Sequence, residues 1–146
     1  MKTLKIVVLA LGLSSFSAWA QNVEFKAGNF KDNKDEFKAA VAAIKEGDEI
    51  FELANQDLFK NVDSRVNFKK ALAKFEVAQK LNPNNAENNL KIGVCLYNTT
   101  NPEKSFSYIE KAYELDKACH DFMDYYYGAI MQLKGEYATA SKHFKA

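Results

Sequence analysis

The chain has 146 residues, with 20 basic and 19 acidic side chains and a formal charge of +1. That length fits one domain, and the balanced charge excludes the basic surface that nucleic acid requires. Two prolines and six glycines are too few for a collagenous, linker-like or disordered chain, whereas 47% hydrophobic residues suffice for a core.

The only strongly apolar run lies at the N-terminus, so a polytopic membrane protein is excluded. Lys2 and Lys5 form a positive start, Ile6 to Leu13 a short apolar stretch, and Ala18-Trp19-Ala20 a small-x-small cleavage site. This order predicts a signal peptide over residues 1–20, with cleavage after Ala20. The run is too short for a membrane anchor, which needs about 20 apolar residues. No cysteine follows it, so the lipoprotein route is closed. Removing Lys2 and Lys5 turns the charge from +1 to −1. Export to the periplasm, or to the periplasmic face of the outer membrane, is the expected destination. Disulfides are permitted there, but Cys95 and Cys119 read more naturally as two packed thiols than as a bridge.

Residues 21–34, with Asn22, Gly28, Asn29 and Asn33, read as a flexible arm. Beyond them apolar residues recur at spacings of three and four, the helical period. Cap and turn residues break the pattern at Asn82-Pro83-Asn84-Asn85, at Thr99-Thr100-Asn101-Pro102, at Ala118 to Asp121 and at Lys134-Gly135. The predicted helices run over 35–58, 67–81, 85–98, 102–115 and 121–134, with a last one from Glu136 or Tyr137. Pro102 suits a first helical position, and Asp121 a helix N-cap.

These helices repeat. Ala71, Phe75, Ala78 and Pro83, moved on by about 34 residues, become Ser105, Ile109, Ala112 and Lys117. Gly93 precedes Ser105 and Ile109 as Gly128 precedes Ala140 and Phe144. This register resembles the tetratricopeptide repeat, a helix-turn-helix unit of about 34 residues. The resemblance implies an all-α solenoid of helical hairpins over 35–146, in units of about 35–83, 84–118 and 119–146, the last incomplete. Small residues (Ala54, Ala71, Gly93, Ser105, Gly128, Ala140) let paired helices approach closely. Bulky ones (Phe75, Ile109, Phe144) fill the wedge, Ala78 and Ala112 meet the next unit, and Pro83 ends a helix. In the first unit Leu53 and Ala54 take the packing positions. The loop at Asn61 to Ser64 then carries about five extra residues relative to the other units.

A leader, a short arm and about three such repeats also resemble the N-terminal region of exported bacterial envelope proteins. Those carry a WD40-like PD40 propeller and an OmpA-like peptidoglycan-binding domain, and some are associated with type IX secretion and gliding. The sequence stops at Ala146 before the last unit is complete, so the expectation is a piece of a longer protein. Its open last helix is then a surface for self-association.

The sequence presents no glycine-rich phosphate loop and no nucleophile elbow. Cys119-His120-Asp121 is a fragment of a metal motif, and zinc needs three or four ligands. His143 reads as a solvated or an edge residue of the last helix, and the acidic groups at Asp32, Asp35, Glu36, Asp48 and Glu49 read as solvated faces. No enzyme and no cofactor are expected. What remains is a surface. In the resembling family the first helix of each unit lines a concave groove. The groove positions implied here are Phe51, Asn55 and Leu58, then Leu90, Val94 and Tyr97, then Phe122, Tyr125, Ala129 and Gln132. The family's Lys and Asn clamp for a C-terminal carboxylate is not matched, because Phe51, Leu90 and Tyr125 stand where it would begin. An apolar groove suits a peptide or an amphipathic helix of an envelope partner. Of Tyr125-Tyr126-Tyr127, helical geometry assigns Tyr125 to the groove and its two neighbours to the core. The alternative reading is a spacer without a ligand.

Overall fold

A computed structural model describes residues 21–99 and 101–146; the leader assigned to residues 1–20 lies outside them. Among the described residues every regular element is helical. Six α-helices follow in chain order: α1 Lys34–Phe59, α2 Arg65–Leu81, α3 Ala86–Tyr97, α4 Phe106–Leu115, α5 Met123–Leu133 and α6 Tyr137–His143. Short 3-10 turns at Ala27–Phe30 and Pro102–Ser105 precede α1 and α4. Pro102 therefore opens a 3-10 turn, not the α-helix itself. None of the described helices is long and apolar enough to cross a membrane.

Local chemistry sets the ends. Asp35 and Glu36 sit in the first turn of α1, where negative charge meets the positive end of the helix dipole. The side chain of Asn85 accepts from the Asn88 N–H at 2.8 Å and caps α3. Lys134 closes α5, and Gly135 follows with φ +81°, a conformation glycine adopts without a Cβ penalty. Asp121 is not a cap: Phe122 holds that position.

Each helix packs against its successor, and three of these pairs share one contact. Gly47 on α1 faces Phe75 on α2, Gly93 on α3 faces Ile109 on α4, and Gly128 on α5 faces Phe144 on α6. A Cβ at these glycines would stand 2.7, 2.4 and 2.9 Å from the bulky partner. The glycine removes the atom that would hold the helices apart, and the large side chain fills the space.

This contact corrects the first hairpin. Its glycine contact is made by Gly47, which the register of the other two hairpins does not reach. Ala54 is buried, but Leu53 is 53% exposed. The added length is not in the loop, because only residues 60–64 join α1 to α2. It lies in the helices themselves: α1 has 26 residues against 12 in α3 and 11 in α5.

The remaining packing positions behave as small or apolar core groups should. Ala71, Phe75, Ala78, Ser105, Ile109, Ala112 and Ala140 are all buried. The Ser105 hydroxyl donates to the Pro102 carbonyl, which satisfies its polar atom. Phe51 meets Phe68 and Phe75 edge-on, each at 5.9 Å between centroids, a favoured aromatic geometry. Phe144 covers Gly128 but remains 46% exposed, and Pro83 sits exposed between α2 and α3.

The N-terminal arm is docked, not loose. The Val23 N–H donates to the Asn84 carbonyl at 2.8 Å. The side chains of Asn82 and Asn85 both donate to the Val23 carbonyl, at 2.7 and 3.0 Å. The Ala86 N–H donates to Asn22 Oδ1 at 3.0 Å. Phe25, Phe30 and Phe37 then stack in sequence, at 5.7 and 5.3 Å. Backbone pairing and ring stacking together fix the arm across the start of α3.

Gly93→Ala tests the shared contact. Alanine raises helix propensity by about 1 kcal/mol, but a Cβ 2.4 Å from Ile109 overpacks the core at a cost of about 1–3 kcal/mol. Urea unfolding should show net destabilisation. Gly28→Ala, where a Cβ meets nothing within 4 Å, is the control and should not be destabilised.

Candidate functional site

Helices α1 and α3 lie side by side and run in the same direction. Asp48 meets Lys91 near their middles, and further along Asn55 and Leu58 line one cavity with Tyr97 and Asn98. Helix α5 joins them with Phe122, Tyr125 and Tyr126. Together with Phe59 these residues enclose a cavity of about 410 Å³, within the range of about 300–1,000 Å³ typical of binding pockets.

The cavity wall is aromatic and uncharged. Tyr97 and Tyr126 stand edge to face at 5.6 Å, and Tyr125 and Tyr126 do so at 5.1 Å. The Asn98 side chain donates to the Val94 carbonyl at 2.9 Å and to the Tyr126 hydroxyl at 3.3 Å. Burial pushes the Tyr97 and Tyr126 hydroxyls up from their ordinary pKa, so both stay neutral donors. Phe122 is held by its neighbour: its N–H donates to His120 Nδ1 at 3.2 Å, and the two rings lie 5.0 Å apart. Phe59 is 82% exposed and Tyr125 56%. Large apolar rings exposed at a cavity mouth are a feature of interaction surfaces.

Five of the ten groove residues read from the sequence meet here: Asn55, Leu58, Tyr97, Phe122 and Tyr125. The other five do not. Phe51, Leu90 and Val94 are buried and form the floor between α1 and α3. Phe51 lies one turn beyond Gly47 on α1, and Leu90 and Val94 lie on either side of Gly93 on α3, and all three belong to the core. Ala129 is buried too, and Gln132 lies exposed. Tyr126 is buried, and Tyr127 stacks on Tyr113 at 3.9 Å. Phe59 and Asn98 carried no periodic signal, because Phe59 is the last residue of α1 and Asn98 caps the end of α3.

A second cavity, about 350 Å³, lies nearer the starts of these helices, where the docked arm supplies Glu24, Phe25 and Lys26. Its floor holds Lys91, buried, which donates to Asp48 Oδ1 and Glu87 Oε1 at 2.7 Å each. Burial alone would pull the Lys91 ammonium down; the hydrogen bonds to Asp48 and Glu87 outweigh it and raise its pKa. Asp48 is thus an ion-pair partner and not a solvated face residue.

His143 is likewise not a solvated residue. It is wedged against Tyr113 and Tyr127, with Nδ1 2.7 Å from Asp124 Oδ1. Among the described residues no group of three His, Cys, Asp or Glu lies close enough together to hold a metal.

Cys95 and Cys119 are free thiols. Burial pushes both up, Cys119 to about 12 and Cys95 further. Since the thiolate is the reactive form, iodoacetamide at pH 8 should label both only slowly in the folded protein and rapidly in urea. Fast native labelling of Cys95 would contradict its placement inside α3. Compared with known proteins, the chain matches no family model, no curated protein and no solved structure.

Proposed function

We propose that this chain is a non-catalytic protein-protein interaction module of the bacterial cell envelope, which holds a peptide or helix of a partner in the groove lined by α1, α3 and α5. The observation that carries this reading is the aromatic cavity of about 410 Å³, with Phe59 and Tyr125 exposed at its mouth. Aromatic side chains are enriched where interfaces draw their energy. Repeated hairpins with a glycine under a bulky residue support the likeness to tetratricopeptide repeats, whose first helices line such a groove. The leader read in residues 1–20 supports export. A spacer with no ligand needs none of these rings exposed: covering them with charged side chains would hold the same fold and improve solubility.

Replacing Tyr97 or Tyr125 with Ala tests the groove. Tyr125 is largely exposed, so its loss should spare the fold. The expected result is at least about tenfold weaker recovery of envelope partners in a pulldown, as for an interface hot spot, with helical circular dichroism intact. Unchanged recovery by both variants would count against the groove.

A further inference from the structure

We infer that the tip of the first hairpin, where α1 turns into α2, docks on the surface of an anionic phospholipid bilayer. Of the twelve large hydrophobic side chains exposed among the described residues, four fall within nine positions there: Leu58, Phe59, Val62 and Val66, the two valines at 55% and 59%. Apolar residues scattered singly over a surface need no explanation, but a cluster marks an interaction site. Leu58 and Phe59 also border the aromatic cavity, yet most of the Phe59 ring lies outside it. Val62 and Val66 take no part in that cavity, so lipid docking stands apart from the peptide reading of the groove.

The tip is an ordered wedge. The Val62 N–H donates to the Asp57 carbonyl at 2.8 Å and the Asn61 N–H to the Leu58 carbonyl at 3.1 Å. Asn61 takes φ +55°, the left-handed closure that ends a helix. The Asn67 amide donates to Asp57 Oδ2 at 2.7 Å, which ties the start of α2 to the end of α1. The apolar side chains are thus held outward by a fixed frame, and docking orders little that is not already ordered. The tip also projects. From the level of the Asp48–Lys91 pair, α1 runs eleven residues on to Phe59, whereas α3 runs six on to Tyr97. The five-residue difference carries the tip about 7 Å past its neighbour. Interfacial elements sink about 5–10 Å into the boundary between headgroups and acyl chains.

Charge selects the lipid. Asp63 accepts from the Arg65 backbone N–H, Nε and Nη2, at 3.1, 2.8 and 2.8 Å, so the acid at the turn is matched by one base. Lys60, Lys69 and Lys70 are exposed beside it and make no ion pair among the described residues. From Asp57 to Lys70 there are four bases and two acids, a local charge of +2 in a processed chain of −1. Lysines around an apolar wedge lay their stems along it and place their ammonium groups at lipid phosphates. A neutral bilayer would give those groups no counter-charge. A protein partner fits the tip less well, because interface cores are depleted in lysine and a projecting tip forms no pocket for a ligand.

The test uses the processed chain, Gln21 to Ala146, which holds every described helix. Trp19 lies in the leader, so this chain contains no tryptophan, and Val62→Trp supplies a single reporter at the tip. With vesicles of phosphatidylglycerol and phosphatidylethanolamine its emission should shift to the blue and be quenched by lipids brominated near the top of the acyl chain. With phosphatidylcholine vesicles it should do neither. Co-sedimentation with the anionic vesicles should fall at least about tenfold for Lys69→Glu/Lys70→Glu and for Val62→Ser/Val66→Ser, and should weaken in about 0.5 M salt. Lys104→Glu/Lys142→Glu makes the same charge change on the other hairpins and should retain binding. The tryptophan reporter gives the answer even if a double variant unfolds. An unshifted, unquenched reporter overturns lipid docking. So does equal binding to phosphatidylcholine, or an equal loss in the Lys104/Lys142 variant, which marks general charge attraction and not the tip. The vesicles contain no protein, so each of these outcomes leaves the groove reading to its own test.

Discussion

The absence of a Cβ at Gly47, Gly93 and Gly128 governs how close the helices of each hairpin can come. Dense packing leaves no slack for a methyl group at 2.4 to 2.9 Å from an aromatic or branched side chain. Close approach within each hairpin fixes where its helices lie, and the docking of one hairpin on the next then sets α1, α3 and α5 as neighbours. The groove is a consequence of that arrangement: its floor residues Phe51, Leu90 and Val94 are buried because the helices that carry them are drawn together from behind.

The polar contacts are of a different kind and do a different task. Isolated pairs on the surface, such as Arg65 with Asp63, contribute little to stability in water. The arm is held by asparagine amides that read backbone, with Val23 both donating and accepting. Such contacts orient an extended segment without specifying its side chains. They bring Phe25 and Glu24 over the start of the groove, and so turn an open helix face into a walled cavity.

Periodicity made part of this legible. The pairs Gly93 with Ile109 and Gly128 with Phe144 stand 16 residues apart in both cases, so a register search finds them. Gly47 and Phe75 stand 28 apart, and no fixed period links them. Because α1 continues without a break past the point where α3 and α5 stop, its apolar spacing gives no cue to the phase. Ala54, small and fully buried, takes the packing position in the sequence reading, and Asn55 and Leu58 follow it into the groove. Their presence at the cavity owes more to the extra turns than to the repeat. The arm was illegible for another reason: hydrogen bonds between Val23 and Asn82, Asn84 and Asn85 leave no pattern of hydrophobicity. Asparagine-rich segments read as turns whether or not a second strand of chain lies across them.

The departure from the repeat is what builds the site. Helix α3 ends at Tyr97 and α5 at Leu133, four and five residues after their glycines, whereas α1 runs to Phe59, twelve after Gly47. The extra length adds about two turns and carries Asn55, Leu58 and Phe59. Without those turns Tyr97, Phe122 and Tyr125 would lie on an open surface, where rings are solvated and bind weakly. With them, the rings acquire an opposing wall of Asn55, Leu58 and Phe59. The extension also packs into the core, because Ala54 is fully buried with Phe68 and Ala71. The lengthened hairpin therefore serves both ends: Ala54 and Phe68 extend the core, while Asn55, Leu58 and Phe59 line the pocket.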